Sequence, residues 1–175
     1  TLNKAKQEFV PLKEGEVSMY TCGPTVYNYA HIGNLRSYVM ADLIKRVLLL
    51  NGLKVKQIMN ITDIGHLTGD ADDSGEDKMV NALKRENKAL TIENLKNLGE
   101  FYFAKFKEDL EAMNILFPDN FIFASDETAE YSRLIKDLLE KGVAYKTTST
   151  IYFDTTKIAN YGAFGGSAST EHGRI

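Results

Sequence analysis

The sequence predicts an α/β fold built on a parallel sheet, and three observations carry that prediction. A short apolar run, Val17 to Cys22, ends before the breakers Gly23-Pro24. A long helical pattern opens at Ile32 and stops at Gly52. A second apolar run, Lys54 to Ile61, follows at once. Strand, helix and strand joined this closely form a right-handed crossover, and the two strands lie parallel.

Residues 1–16 are polar, with Pro11 and Gly15 as breakers, and read as a lead-in with one short strand. Val17 to Cys22 alternates weakly and is a buried strand. In the first helix Leu35, Val39, Leu43, Val47 and Leu50 recur at three or four residues and define one apolar face, with Gly52 in the capping position. Lys54 to Ile61 is the second strand. Thr62 to Asp77 is a Gly- and Asp-rich loop, and Lys78 to Asn87 a short helix. Ile92 to Met113 carries Ile92, Leu95, Phe101/Tyr102, Phe106, Leu110 and Met113 along one side, with Thr91 as N-cap. The next helix runs from Glu127 to Lys141, started by Ser125 or Asp126 and stopped by Gly142. Strand-like pieces lie at Val143–Lys146 and Thr150–Phe153, and the tail from Tyr161 to Ile175 is weakly patterned. A doubly wound nucleotide-binding sheet has five or six strands, and only its first crossover is visible, so the chain reads as a fragment.

Composition narrows the function. An apolar content of 43% and a charged content of 26% suit a soluble globular chain of 175 residues. A net charge of -3 gives no broad basic surface for nucleic acid. No run approaches the roughly 18–20 apolar residues of a membrane span, and Thr1 to Gln7 has no signal-peptide core. The single cysteine forms no intrachain disulfide and fits a reducing cytosol. The expected location is cytoplasmic.

The chemistry gathers between residues 19 and 34 and again at 60–63. His31-Ile32-Gly33-Asn34 opens the first helix, where exposed amides and the helix dipole favour phosphate. His31 there is either a helix cap or a phosphate ligand, and Gly33 leaves room for a base or ribose against the backbone. Cys22 is either a small core residue or a thiolate at the ligand-binding end of the sheet. With only His31, His66 and His172 as histidines, no complete zinc site can be built from this chain. Thr62 and Asp63 either form a simple turn or offer a hydroxyl and a carboxylate, for example to a substrate ammonium group. Asp70, Asp72, Ser74 and Gly75 match part of a calcium loop, but Asn81 stands where its glutamate belongs, so a solvated acidic loop is the better reading. Phe101 to Phe106 reads as core packing rather than base stacking.

Cys-Gly-Pro-Thr-Val-Tyr at 22–27, His-Ile-Gly-Asn at 31–34 and Asn-Ile-Thr-Asp at 60–63 together resemble the cysteinyl-tRNA synthetase family. The resemblance continues through Gly75-Glu76-Asp77-Lys78, Met113-Asn114-Ile115, Pro118-Asp119 and Tyr152-Phe153-Asp154. It implies a class I synthetase with a Rossmann-like catalytic domain, whose first half is residues 1–66. Residues 67–175 would then be a mainly helical segment and the start of a connective insertion. The implied reaction joins L-cysteine to ATP, used with magnesium, and passes the resulting adenylate's cysteinyl group to the cysteine tRNA. No obligate protein partner and no membrane follow from it.

The resemblance also implies residue roles. Cys22 becomes a zinc ligand, and zinc would select the substrate's thiolate over a serine hydroxyl. Gly23, Thr25 and Thr62 become parts of the cysteine pocket. His31 and Asn34 become the catalytic, phosphate-binding signature, with Gly33 making room for ATP's adenosine. Asn34 stands in place of the usual second histidine and can donate a hydrogen bond but carry no charge. The other zinc ligands (a Cys, a His and a Glu) and the Lys-Met-Ser-Lys-Ser loop are absent; Lys78-Met79 continues as Val80-Asn81 and is not that loop. The isolated chain is therefore expected to bind zinc weakly and to activate cysteine poorly or not at all. The competing readings are a cysteine ligase that passes cysteine to an amino sugar, a non-catalytic binding or regulatory paralogue, and a generic nucleotidyltransferase.

Overall fold

A computed structural model describes residues 5–64, 78–148, 150–159, 161 and 173–174. They fall into two units: residues 10–126, and residues 127–175 together with the N-terminal nine.

The first unit contains β1 (Glu16–Thr21), α1 (Ile32–Leu50), β2 (Lys54–Ile61), α2 (Lys78–Arg85), α3 (Ile92–Ala112) and β3 (Asn120–Phe123). Its sheet has the order β1-β2-β3, and both pairings are parallel, with Thr21 opposite Met59 and Ile61 opposite Phe123. The α/β prediction holds. Sequence periodicity missed β3, because four residues between Pro118-Asp119 and a 3-10 turn at Ala124–Glu127 are too few to show an alternation. The lead-in strand does not form among the described residues. Pro11 and Gly15 leave only a turn there, closed by a bridge between Lys13 and Glu16.

Alternation along β2 buries Gln57, Met59 and Ile61 and leaves Ile58 and Asn60 half-covered. Met59 and Ile61 meet Leu98, Tyr102, Phe106 and Leu110 of α3 in one core, and Tyr38 of α1 packs its ring edge-on to Phe106 at 5.0 Å. Burying each of Ile61, Leu98 and Leu110 contributes about 1.5–3 kcal/mol. Helix α3 buries Tyr102, Phe106 and Leu110 of its predicted side and Leu98 beside them, whereas Ile92 and Met113 at its ends are exposed. It starts as expected, with Thr91 Oγ1 accepting from the Asn94 amide at 3.1 Å. The aromatic run packs as predicted at Tyr102, Phe103 and Phe106, while Phe101 is half exposed.

Helix α1 departs from its expected face. Leu35 and Val39 pack on the core, but Leu43, Val47 and Leu50 are exposed, and the buried residues are Tyr38, Asp42 and Lys45. The reason lies in residues 114–119, which have left α3 and have not yet entered the sheet, so their backbone groups need partners. Asp42 accepts from the Leu116 amide at 2.9 Å, and Lys45 donates to the Phe117 carbonyl at 2.7 Å. Arg46 bridges Asp42 and the Asn114 carbonyl.

The second unit holds α4 (Thr128–Glu140) and an antiparallel sheet of β4 (Ala144–Lys146), β5 (Ile151–Phe153) and β6 (Gly173–Arg174), in that order. Tyr145 stacks on Tyr152 across the first pairing. Neither Ser125 nor Asp126 caps α4: residues 124–127 form the 3-10 turn, and Glu127 is the N-cap without a side-chain bond. Among the described residues no helix is long and apolar enough to cross a membrane.

Candidate active site

Parallel strands place their carboxyl ends together, and here the loop after β1 is bonded to the end of β2. The Val26 amide donates to the Thr62 carbonyl and the Thr62 amide to the Pro24 carbonyl, each at 3.0 Å, so Thr25 and Thr62 bridge in parallel. Gly23 lies against β2 so closely that a Cβ there would sit 1.9 Å from the Asn60 carbonyl oxygen. Only glycine fits. Asn60 Oδ1 accepts from the Gly23 amide at 3.1 Å and from the Tyr20 hydroxyl at 2.8 Å, and its Nδ2 reaches Thr62 Oγ1 at 3.4 Å. Cys22 is a free, exposed thiol beside this knot. It lies near Tyr38, whose phenol is pushed up to about 12, first by burial and then by the charge of a Cys22 thiolate.

The second cluster is the start of α1. His31 is the N-cap in extended conformation, and its Nδ1 accepts from the Gly33 amide at 3.1 Å. A backbone N–H can only donate, so Nδ1 carries no proton and the ring proton of the neutral imidazole stands on Nε2, which stays a donor. Asn34 Oδ1 accepts from the His31 amide at 3.2 Å and closes a reciprocal cap. A Cβ on Gly33 would meet His31 Cε1 at 2.9 Å, so the missing side chain makes room for this ring. The first turn holds no acidic residue, and nothing in it offsets the positive end of the helix. The cap and the phosphate-ligand readings of His31 are thus compatible, because the cap uses one nitrogen and leaves the other.

The loop between the clusters is pinned from α2 and α3. Arg85 donates to the Tyr27 carbonyl at 3.1 Å and to the Tyr102 hydroxyl at 3.2 Å, and Lys78 lies over the Tyr27 ring. Tyr102 donates to Glu86 at 3.0 Å, while Lys88, and after it Tyr102, holds the Glu86 carboxyl below the usual carboxylate range. Tyr29 packs edge-on against Phe101 and Tyr102.

The structure therefore brings Gly23, Thr25 and Thr62 together with Cys22 alongside, and builds His31, Gly33 and Asn34 into a separate cap. Asp63 is engaged by Ser125, with Oδ1 accepting from the Ser125 amide at 3.0 Å and Oδ2 from its hydroxyl at 2.5 Å, and each oxygen keeps a further lone pair. Sequence reasoning missed Asn60 and Ser125; the one available signal was a polar side chain near the end of a buried strand. His66, the acidic loop at 70–75 and His172 lie outside the described residues. Among the described residues no group of three or more His, Cys, Asp or Glu side chains could hold a metal ion. Cys22 is one soft donor, so these residues by themselves do not fit a zinc ion.

Residues 8–173 match the family model described as the class I (C) tRNA synthetase catalytic domain. The chain is 44% identical over 162 residues to a protein named cysteine–tRNA ligase 1 from Burkholderia lata, which covers 93% of this chain and 33% of that protein. It is 42% identical over 162 residues to a cysteine–tRNA ligase from Treponema denticola, covering 93% and 32%. A third relative of that name, from Zymomonas mobilis, is 38% identical over 176 residues, covering 100% and 33%. The chain thus spans about a third of the length of the curated relatives it matches. A solved structure from Campylobacter jejuni, provisionally described as an arginyl tRNA synthetase, superposes with a TM-score of 0.55 at 15% identity, covering 84% of this chain and 39% of that one, and supports the fold.

Proposed function

This chain belongs to the family of class I (C) tRNA synthetase catalytic domains, and from that premise we propose that it is the N-terminal catalytic part of a cysteine–tRNA ligase acting in the cytoplasm. The substrates are L-cysteine, ATP with magnesium, and the cysteine tRNA. The observation that carries this reading is the pairing of the 22–25 loop with Thr62 at the carboxyl ends of two parallel strands, in the same unit as a helix start with no acidic residue. Dividing the chain at residue 66, with a connective insertion after it, belongs to the same proposal; β3 shows that residues 120–123 of that later stretch return to the sheet. The relatives' names support transfer to tRNA and lend nothing to the amino-sugar or non-catalytic alternatives.

The substrate carboxylate attacks the α-phosphorus of ATP and pyrophosphate leaves; a terminal ribose hydroxyl of the tRNA then attacks the carbonyl carbon of the adenylate, the acyl–phosphate bond breaks and AMP leaves. In this proposal Thr25 and Thr62 orient the amino acid, while the start of α1, His31 Nε2–H and the Asn34 amide hold phosphate oxygens. Gly33 keeps the His31 ring folded back and, with it, the approach to ATP open. Such fixed alignment can supply up to about 7–11 kcal/mol of a barrier, and one lost donor on developing charge costs about 10²–10³ in rate. Zinc would supply selection of a thiol over a hydroxyl, with Cys22 as one ligand and the others outside the described residues; no step here is routed through it.

The test is cysteine-dependent ATP–pyrophosphate exchange on the full-length polypeptide, with serine as the comparison. His31→Asn keeps a good N-cap but loses Nε2–H, so exchange falls by about 10²–10³ while helix stability changes by less than about 0.5 kcal/mol. Absence of exchange from a folded full-length chain would sink the reading.

A further inference from the structure

We propose that Asn60 is the positioning residue of the cysteine pocket: its single side-chain amide ties the Gly23 backbone to the Thr62 hydroxyl and so sets where the Cys22 thiol stands. Paired residues of β1 and β2 end at Thr21 and Met59, and pairing resumes only at the Thr25–Thr62 bridge. Between them, residues 22–24 leave the ladder. Asn60 spans that gap.

The orientation of its amide is fixed by chemistry. The Gly23 N–H can only donate, so the atom 3.1 Å away is the oxygen, and the nitrogen is turned to Thr62 Oγ1 at 3.4 Å. The same oxygen accepts from Tyr20, anchoring the amide to the strand that delivers Cys22. The main chain of Asn60 completes the clamp, since its carbonyl oxygen occupies the place of any Cβ at residue 23. Cys22 is thus held from both sides, by strand register before it and by Asn60 after it, while its own thiol stays exposed. The assignment of a cysteine pocket rests on the proposed function; the placement of Cys22 does not.

Two readouts separate those layers. Cys22 is the only cysteine among these 175 residues, so iodoacetamide labelling of the peptide that carries it, followed by mass spectrometry in the full-length polypeptide, reports its position without any assay of activity. In Asn60→Ala the Gly23 tether is lost, and the alkylation rate shifts by about threefold or more, the scale of one hydrogen bond. Asn60→Asp keeps an acceptor for Gly23 and Tyr20, loses the donor to Thr62 and adds a charge, so its alkylation is compared at alkaline pH where the thiol is fully ionised, and there it stays within about twofold of wild type. In the full-length polypeptide both substitutions raise the KM for cysteine about tenfold and leave the KM for ATP within about twofold. Unchanged alkylation together with unchanged KM for cysteine in folded Asn60→Ala overturns the proposal, as does an equal rise of both KM values. If Asn60→Ala does not fold, Asn60→Asp decides: a raised KM for cysteine with unmoved alkylation supports the clamp, and two unmoved readouts overturn it. Wild-type protein without exchange activity would sink the functional reading, and the alkylation series would still decide the placement.

Discussion

Helix α1 turns Leu35 and Val39 to the core in its first turns, and beyond them its two faces are inverted relative to ordinary helix amphipathicity. The face turned to the protein carries Asp42 and Lys45 beside Tyr38, and the face turned away carries Met40, Leu43, Ile44, Val47 and Leu50. The difference teaches that apolar periodicity reports which residues favour cover, while burial is decided by what the neighbouring chain lacks. Residues 114–119 lack ladder partners, and α1 supplies an acceptor for Leu116 and a donor for Phe117. One lost buried partner here therefore outweighs several exposed apolar side chains.

Substitutions on the two faces can break that comparison. Asp42→Ala strands the Leu116 amide and takes one of its two partners from the part-exposed Arg46, and should lower the unfolding free energy by about 2–3 kcal/mol in urea titration. Lys45→Met keeps the buried stem and loses the bond to Phe117 and the 3.8 Å ion pair with Asp119, so about 1–2 kcal/mol is expected. Tyr38 sharpens the buried side at alkaline pH. Its folded pKa of about 12 exceeds the ordinary 10.0, so its contribution is full below pH 10 and is lost as pH rises towards 12. At pH 11 wild type should have lost about 1 kcal/mol more than Tyr38→Phe, read from the difference between their unfolding curves. Smallest of all, Leu43→Gln or Val47→Gln should change stability by less than about 0.5 kcal/mol. A loss as large as that of Asp42→Ala from either exposed site would overturn the inverted-face account.

Much of the framework was legible because it rests on local signals. β2 matches its predicted span, α1 and α3 start at their predicted residues, and Thr91 caps as its position suggested. What escaped depends on partners distant in sequence. β3 exists because β2 offers an edge, and the start of α4 shifted because Ser125 is occupied by Asp63 across 62 residues. The site divides the same way. Cys22, Gly23, Thr25 and Thr62 could be grouped from motif order, and the structure joins Thr25 to Thr62 by a backbone bridge and ties Gly23 to the Asn60 side chain beside them. No local pattern reveals that Asn60 reaches Gly23 across 37 residues, or that the Gly33 vacancy is filled by His31.

The ties from Asp42, Lys45 and Arg46 to the 114–117 backbone each span 68 to 74 residues. During synthesis α1 leaves the ribosome well before the segment that satisfies its buried charges. At typical elongation rates that interval is about 4–15 s. Through those seconds Asp42 and Arg46 have only each other, Lys45 lacks its carbonyl, and the face of α1 that will pack on the 114–117 segment stays open.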